Sequence, residues 1–334
     1  FLGMKNPATT IGRVWDFSTS ELKGNYGRHY SLQAREWHLQ AQIIFTHEWG
    51  EGSHKIDAGP AITYNQAQEN IALFNNHIKL DYIQAAPALF ADYHWKFASA
   101  GRGYRFYRLF ADQINVLSTN RPWDIGLLPK YESSWNYGLN LVGKPNLLGK
   151  ELEINLDAYL TDFENQIIVD LDDPSRVSIY NLDGRSRALV LGSTGTMPIG
   201  YGFSVKIGAR YQNNKIDYRK GFRDQIMIPK WRGLISLDWE SNSKIWTVKL
   251  TANLIGPMRL TDKDGIPHQY VHDHVGRSPQ YGLLQGQVNY LKGSWEVYAG
   301  CENITNYTQH NAIIAFQEPH GNYFNATEVF APIN

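Results

Sequence analysis

Three closely spaced histidines in IPHQYVHDHVG are the residues whose type and spacing come nearest to a metal site: His268, His272 and His274. Imidazole nitrogens bind copper, zinc and iron, so the three side chains could hold such an ion. The surrounding residues predict a long loop, where scattered histidines are common. We therefore expect solvated loop histidines here and no bound metal.

Paired carboxylates are the second candidate for chemistry, because two of them can act as acid and base in the hydrolysis of a glycosidic bond. Glu151/Glu153 and Asp172/Asp173 are such pairs. Glu151 and Glu153 lie two apart on a predicted strand, so they share a face at a separation of about 7 Å. Charges that face a water-filled interior have the same spacing. We expect that simpler role for both pairs, and no catalytic residues.

Two further features have a structural interpretation. Asp262 and Asp264 before Gly265 resemble the start of a calcium-binding loop, but the remaining ligands are missing, so we expect a plain turn. Cys301 is the single cysteine, which excludes an internal disulfide. It falls on the apolar face of its predicted strand, where we expect inert packing and no reactive thiol.

The composition leaves two classes of protein open. The chain has 334 residues, no net charge, 13% aromatic and 19% charged residues, so nothing points to nucleic acid. Its apolar runs are all far shorter than the roughly 20 residues of a membrane helix. A mean hydropathy of −0.41 is typical of soluble proteins. The mean hydropathy of a transmembrane β-barrel is also low, however, because apolar and polar residues alternate along its strands.

Alternation of apolar and polar residues is the main pattern of the chain and predicts an all-β fold. Side chains two apart on a strand share a face, and WRGLISLDW (231–239) places its apolar residues except Leu234 in one row. About ten segments show the same pattern, and no long helix or internal repeat is visible. The clearest are 39–45, 56–64, 135–142, 151–160, 203–212, 231–239, 246–254, 284–290 and 295–303.

Trp231 and Trp239 mark the two ends of one apolar row. Eight residues at about 3.3 Å each separate them by roughly 26 Å, or roughly 20 Å along the membrane normal for a strand tilted about 40°. An outer-membrane barrel has an apolar band about 25 Å tall between girdles of aromatic residues. The alternative is a soluble β-sandwich, whose strands also alternate but have a typical length of about 5–6 residues. The residue pattern alone leaves both open.

Six segments carry a resemblance to one family by their order and spacing. SAGRGYRF (99–106) has that family's strand motif of a small residue, Gly, a basic residue, Gly, an aromatic residue and Arg. The other five are LLPKYESSWNYGLNL (127–141), AYLTDFENQIIVDLDD (158–173), YNLDGRSRALVL (180–191), WEVYAGCENITNYTQHNAI (295–313) and PHGNYFNATEVFAPI (319–333). Together they resemble the barrel of a TonB-dependent outer-membrane receptor of the Bacteroidetes type.

The resemblance implies a transmembrane antiparallel β-barrel of the 22-stranded type, integral to the bacterial outer membrane. It implies uptake of a scarce nutrient, such as a siderophore, haem, cobalamin, a glycan, a peptide or a metal chelate. The energy would come from TonB, acting through a plug domain, and no cofactor is expected. Further partners would be membrane lipid and a surface lipoprotein or larger complex.

Arg102 and Arg105 would be charges of the barrel wall, and the ligand-binding residues remain unknown. The glycosylation sequons Asn303/Thr305, Asn306/Thr308 and Asn325/Thr327 carry no meaning in such a protein.

The chain also departs from the family pattern. Residues 1–334 match only barrel sequence, with no plug domain or TonB box. An interruption is expected near 97–101, where relatives have extra strands, and the closing strand is expected beyond residue 334. Two alternatives follow: a plugless barrel that serves as a scaffold in a larger outer-membrane complex, and a soluble β-rich glycan-binding protein.

Overall fold

The computed structural model describes residues 30–50, 54–73, 76–95, 98–105, 116, 118–128, 131–271 and 276–333. Within these ranges the regular elements are β-strands and one short 3-10 helix, His268–Tyr270. The strands are β1 (Tyr30–Gln42), β2 (Phe45–Trp49), β3 (His54–Leu73), β4 (Asn76–Trp95), β5 (Ala98–Arg105), β6 (Trp123–Ile125), β7 (Glu132–Gly143), β8 (Asn146–Leu147), β9 (Lys150–Glu151), β10 (Glu153–Asn165), β11 (Ile167–Asp170), β12 (Val177–Asn181), β13 (Ser186–Gly200), β14 (Phe203–Tyr218), β15 (Gly221–Asp224), β16 (Trp231–Glu240), β17 (Trp246–Ile255), β18 (Tyr281–Lys292) and β19 (Trp295–Cys301). No helix among the described residues is long and apolar enough to cross a membrane. The all-β prediction is confirmed.

The first of two compact units comprises residues 1–96 and 100–102. Its β3 pairs in antiparallel fashion with β1, β2 and β4. The continuous strand predicted over 39–45 is wrong, because Ile43 and Ile44 separate β1 from β2. At this break the chain approaches Gly59 so closely that a Cβ atom there would lie 1.8 Å from the carbonyl oxygen of Ile43. Only glycine fits that position.

The second unit comprises residues 97–99 and 103–334 and includes both ends of β5. Its main sheet has the order β5-β7-β10-β13-β14-β16-β17-β18-β19, with β15 beside β14. Neighbouring strands from β7 onward pair in antiparallel fashion. Two small sheets lie outside it, β11-β12-β6 and β8-β9. The segment 180–191, which carries part of the family resemblance, is divided between β12 and β13, because the chain turns at Gly184 with φ of +132°.

Registers between the strands align the apolar rows that the sequence predicts. Ile207 pairs with Ile235, and Leu237 pairs with Leu250. These side chains are exposed, Ile207 to 57% and Ile235 to 48%, although they are aliphatic. One face of the main sheet is therefore a continuous apolar surface, and that surface requires an apolar medium.

Aromatic side chains border this apolar surface at both ends, as predicted from Trp231 and Trp239. Trp231 pairs with Tyr211 at one end, and Trp239 pairs with Phe203 at the other. Next to Trp239 on the neighbouring strands, the rings of Trp246 and Tyr290 lie 4.6 Å apart. Indoles favour such borders because the ring is apolar and the N–H needs a polar partner.

The two ends of the main sheet differ in the length of their connections. At one end the strands are joined by short turns, 144–152, 201–202, 241–245 and 293–294. The tightest has Tyr201 and Gly202 at φ of 55° and 81°. The other end carries 106–131, 166–185, 219–230, 256–280 and the segment after β19. All long connections thus emerge at the same end.

Candidate functional site

The long connections are held together by two apolar clusters. Ile168, Leu182, Ile216 and Tyr218 are buried against each other, with Phe163 and Tyr180 packed beside them. The second cluster consists of Ile266, Tyr270, Ile314 and Ala315, with Val271 and Tyr323. Each cluster joins residues from different connections or from a connection and a strand end. The loops therefore form a packed layer over the sheet end.

A buried carboxylate cross-links three of these connections. Asp172 is 1% exposed, and its Oδ2 accepts hydrogen bonds from Arg223 at 3.1 Å and from Arg259. Arg223 also donates to Asp262 at 2.8 Å, and Lys220 donates to the same carboxylate at 3.0 Å. Burial raises the pKa of Asp262, but the hydrogen bonds and charges of Arg223 and Lys220 outweigh it and lower the pKa below its ordinary value. Asp262 therefore stays ionised, and the hydrogen bonds of the two carboxylates bind the loops together.

Glu328 joins the segment after β19 to the connection 256–280. Its Oε1 accepts from the backbone N–H of Thr261 at 2.7 Å and from the Thr261 hydroxyl, and its Oε2 contacts the Lys263 ammonium. Lys263 is buried, which lowers its pKa, and the carboxylate of Glu328 offsets only part of that effect. Both oxygens of Glu328 are therefore occupied.

A cavity of about 530 Å³ lies between the strand ends and the loop layer. Ligand sites of small molecules have volumes of about 300–1,000 Å³ and a mostly apolar lining. The lining from the main sheet consists of Gly103, Tyr104, Arg105, Glu132, Ser133, Ser134, Phe163, Ile216 and Tyr218. The loops supply Gln166, Ile167, Ile168, Val169, Leu171, Gln225, Ile226, Met227, Thr261, Thr327 and Glu328.

More than half of the residues that line this cavity carry polar side chains, and the charged ones are paired. Glu132 accepts from Arg105 Nη2 at 2.9 Å and from the backbone N–H of Ile167 at 2.9 Å. Gln166 presents a buried side-chain oxygen that accepts no hydrogen bond. Its neighbours Ile168, Ile216 and Tyr218 supply apolar surface. The cavity can hold an organic ligand, and it offers no group arranged for acid, base or nucleophilic chemistry among its described residues.

Arg105 has the predicted role of a wall charge, because its guanidinium bridges β5 to Glu132 on β7. It also lines the cavity. Arg102 is exposed and belongs to the first unit.

The three histidines expected to be solvated loop residues lie partly outside the described residues, which exclude His272 and His274. His268 is exposed in the 3-10 helix. In the part of the chain that the structure describes, no group of three or more His, Cys, Asp or Glu side chains could hold an ion.

The two carboxylate pairs have different outcomes. Glu151 and Glu153 contact the same Lys144 at 3.2 and 2.7 Å, so they lie on one side of a short turn, as surface charges. The prediction for Asp172/Asp173 is wrong, because both follow β11 in a connection and neither lies on the polar face of a strand. Asp172 is buried among arginines, whereas Asp173 caps Ser175 and Arg176.

Two smaller predictions also have outcomes. The turn at 263–266 is confirmed, with Ile266 donating to the Lys263 carbonyl at 3.1 Å. Asp262 departs from a plain turn, because it pairs with Arg223 and Lys220. Cys301 lies on β19 opposite Gly286, on the apolar face, as predicted.

Sequence reasoning missed the cavity because its lining comes from separate strands and loops whose meeting depends on long-range packing. Gln166 gave no separate signal, because it follows two other polar residues, Glu164 and Asn165.

Comparison with known proteins identifies the fold. The family model TonB dependent receptor-like, beta-barrel matches residues 84–304, more than half of the chain. The copper transporter OprC is 12% identical with a TM-score of 0.56 over 85% of this chain and 53% of its own. The ferric citrate transporter FecA is 18% identical with a TM-score of 0.51, over 85% and 42%. The ferric yersiniabactin uptake receptor FyuA from Yersinia pestis is 11% identical with a TM-score of 0.54, over 84% and 42%.

The chain therefore spans about half the length of these solved structures. A search of curated proteins finds no match. The family match and the exposed apolar face favour a membrane barrel over the two soluble alternatives, a β-sandwich and a soluble glycan-binding protein. The chain belongs to the TonB dependent receptor-like, beta-barrel family, whose members are integral outer-membrane β-barrel proteins and not enzymes.

Proposed function

We propose that this chain is the barrel of a TonB-coupled transporter that takes up a scarce nutrient across the outer membrane. The ligand binds in the cavity below the long connections, and TonB supplies the energy through a plug domain. Residues 1–334 form parts of one barrel in this proposal, with the interruption near 97–101. The Bacteroidetes subtype rests on the motif series alone.

One observation carries the proposal: a ligand-sized cavity lies under the packed long connections, at the end opposite the short turns. Selectivity in barrels of this kind requires polar and apolar groups at the entrance. A scaffold barrel needs no such cavity, so transport is the better-supported function. A surface lipoprotein or larger complex remains part of the proposal as a partner of the exposed loop layer.

The ligand is open among siderophore, haem, cobalamin, glycan, peptide and metal chelate. The three solved structures named above are a copper transporter, a ferric citrate transporter and a ferric yersiniabactin uptake receptor. Those compounds, with haem, cobalamin and a mixture of short peptides, form a practical panel of probes.

Uptake in cells tests the proposal. The full gene is expressed in a strain lacking its own receptors, and accumulation of each labelled probe is measured with and without TonB. We expect accumulation of one probe that stops when TonB is deleted or the proton gradient is collapsed. Accumulation that is the same without TonB would contradict the proposal. Outer-membrane fractionation and heat-modifiable gel mobility are the controls for assembly.

A further inference from the structure

The strand β11 has an open edge that faces the cavity. It is the outer strand of the small sheet β11-β12-β6. The N–H of Leu182 donates to the Gln166 carbonyl at 2.8 Å, and hydrogen-bonded pairs alternate along an antiparallel ladder. The N–H and C=O groups of Ile167 and Val169 therefore point away from β12. The hydrogen bond from the N–H of Ile167 to Glu132 agrees with this direction.

Val169 is the position on this edge where the backbone lacks a partner. In the part of the chain that the structure describes, no hydrogen bond reaches its N–H or its C=O. Ile167, Ile168 and Val169 all line the cavity. Val169 is half-buried, so its edge is accessible, and an extended peptide can pair with such backbone groups by adding a strand to an open edge.

The charges of the cavity favour a ligand without charge. Among the described lining residues, Arg105, Glu132 and Glu328 are the ionic side chains. Arg105 neutralises Glu132, and Lys263 neutralises Glu328, so the four charges cancel. A charged ligand group would lose its hydration here without gaining an unpaired opposite charge, and that loss is costly.

Part of the remaining lining suits the apolar side chains of a peptide. Ile168, Ile216, Tyr218 and Met227 offer apolar surface beside β11. Three residues of extended chain span about 10 Å, which is close to the length of the open edge.

We infer that the cavity binds an extended, uncharged and apolar peptide segment, which adds as a strand to the Val169 edge of β11. The inference rests on the proposed function for its site, and it names the class of ligand. A strand added in this way alternates, so every second N–H of the peptide points to β11.

Binding of capped tripeptides to the full-length protein in lipid nanodiscs tests the inference. The probe is N-acetyl-Leu-Val-Leu amide, and two matched forms are N-methylated at the first or at the second residue. We expect one methylated form to bind about tenfold more weakly and the other to bind like the parent, because one N–H pairs with β11. A form with Asp in place of Val should also bind more weakly. Equal affinity of both methylated forms and the parent, or no binding, would overturn the inference.

A protein variant examines the same hydrogen bond from the other side. Val169→Pro removes the unpaired N–H, and an edge position whose N–H points outward tolerates proline. Val169→Ala shortens the side chain and keeps the N–H, so it is the matched control. We expect about a tenfold loss of affinity for Val169→Pro alone. Equal losses in both variants would contradict strand addition.

The outcomes separate this inference from the proposed function. If cells show TonB-dependent uptake of another probe and no tripeptide binds, the inference fails and the transport proposal stands. If the tripeptides bind with the alternating pattern and no probe shows TonB-dependent uptake, the transport proposal fails and the peptide site stands.

Discussion

The guanidinium of Arg223 lies 3.1 Å from the Oδ2 atom of Asp172, 51 residues away in the sequence. Arg259 donates to the same oxygen from a third connection. One carboxylate thus joins three long connections above the cavity. Together with the contacts of Glu328 to Thr261 and Lys263, this carboxylate holds the connections in place.

Asp172→Ala is expected to loosen the loop layer. The substitution leaves Arg259 buried without its carboxylate, and loss of one partner of a buried ion pair costs about 3–5 kcal/mol. The measurement is limited proteolysis of the connections 166–185 and 256–280, which should be cut faster. Heat-modifiable mobility should remain, because the strands are unaffected.

Asp173→Ala is the matched control for this prediction. Asp173 is adjacent in sequence but pairs at the surface with Arg176, and exposed pairs contribute about 0–1 kcal/mol. Its proteolysis should be close to that of the wild type. Equal sensitivity of the two variants would show that the buried network does not hold the loops.

Acidification is expected to open the same layer. Burial raises the pKa of Asp262, but the hydrogen bonds and charges of Arg223 and Lys220 have the larger, opposite effect. The pKa of Asp262 in the folded protein therefore lies below its ordinary value of 3.8. Because the folded form binds fewer protons than the unfolded form, this contribution is present above pH 3.8 and is lost as pH falls through the folded value. The rate of cleavage of the loop layer by an acid protease should therefore rise as the pH falls below 3.8. In Asp262→Asn the cleavage rate should depend less on pH. A profile that Asp262→Asn leaves unchanged would rule out this carboxylate.

The strands of the main sheet could be predicted from the sequence because each carries its own alternating row. For β16 and β17 the predicted ranges 231–239 and 246–254 differ from the observed bounds by one residue at the end. The apolar rows and the aromatic borders followed from the same pattern. Local periodicity contains this information because neighbouring side chains on a strand must face opposite sides.

The cavity could not be predicted in the same way. Asp172 was predicted to be a charge that faces a water-filled interior, because its partners Arg223 and Arg259 lie far from it in the sequence. Residues 167–170 belong to the segment 158–173 of the family resemblance, and after Gln166 they leave the main sheet and pair in the separate small sheet as β11. Such contacts depend on tertiary packing of the connections, for which local patterns give no signal.

Glu132→Ala is expected to release the start of β11. Glu132 is 6% exposed and accepts the N–H of Ile167, so its removal leaves a buried donor unpaired at a cost of about 1–3 kcal/mol. Hydrogen exchange of the Ile167 amide, measured by mass spectrometry, should become faster. Glu132→Gln keeps an acceptor and should retain much of the protection. Unchanged exchange in Glu132→Ala would show that the carboxylate does not hold this strand.

Adjacent residues on β18 test which face of the sheet meets lipid. Val288 is 40% exposed in the apolar row, and Gln287 lies on the opposite, polar face. An arginine on the lipid face near the middle of a bilayer costs about 2–4 kcal/mol, whereas the polar face tolerates it. Val288→Arg should therefore lower the free energy of unfolding in phospholipid vesicles, measured by urea titration, by about 2–4 kcal/mol. Gln287→Arg is the control, since it adds the same charge one residue away and loses only an exposed hydrogen bond to Asn289. If Gln287→Arg were the more destabilising of the two, the faces would be assigned the wrong way round, and the cavity would lie on the lipid side of the wall.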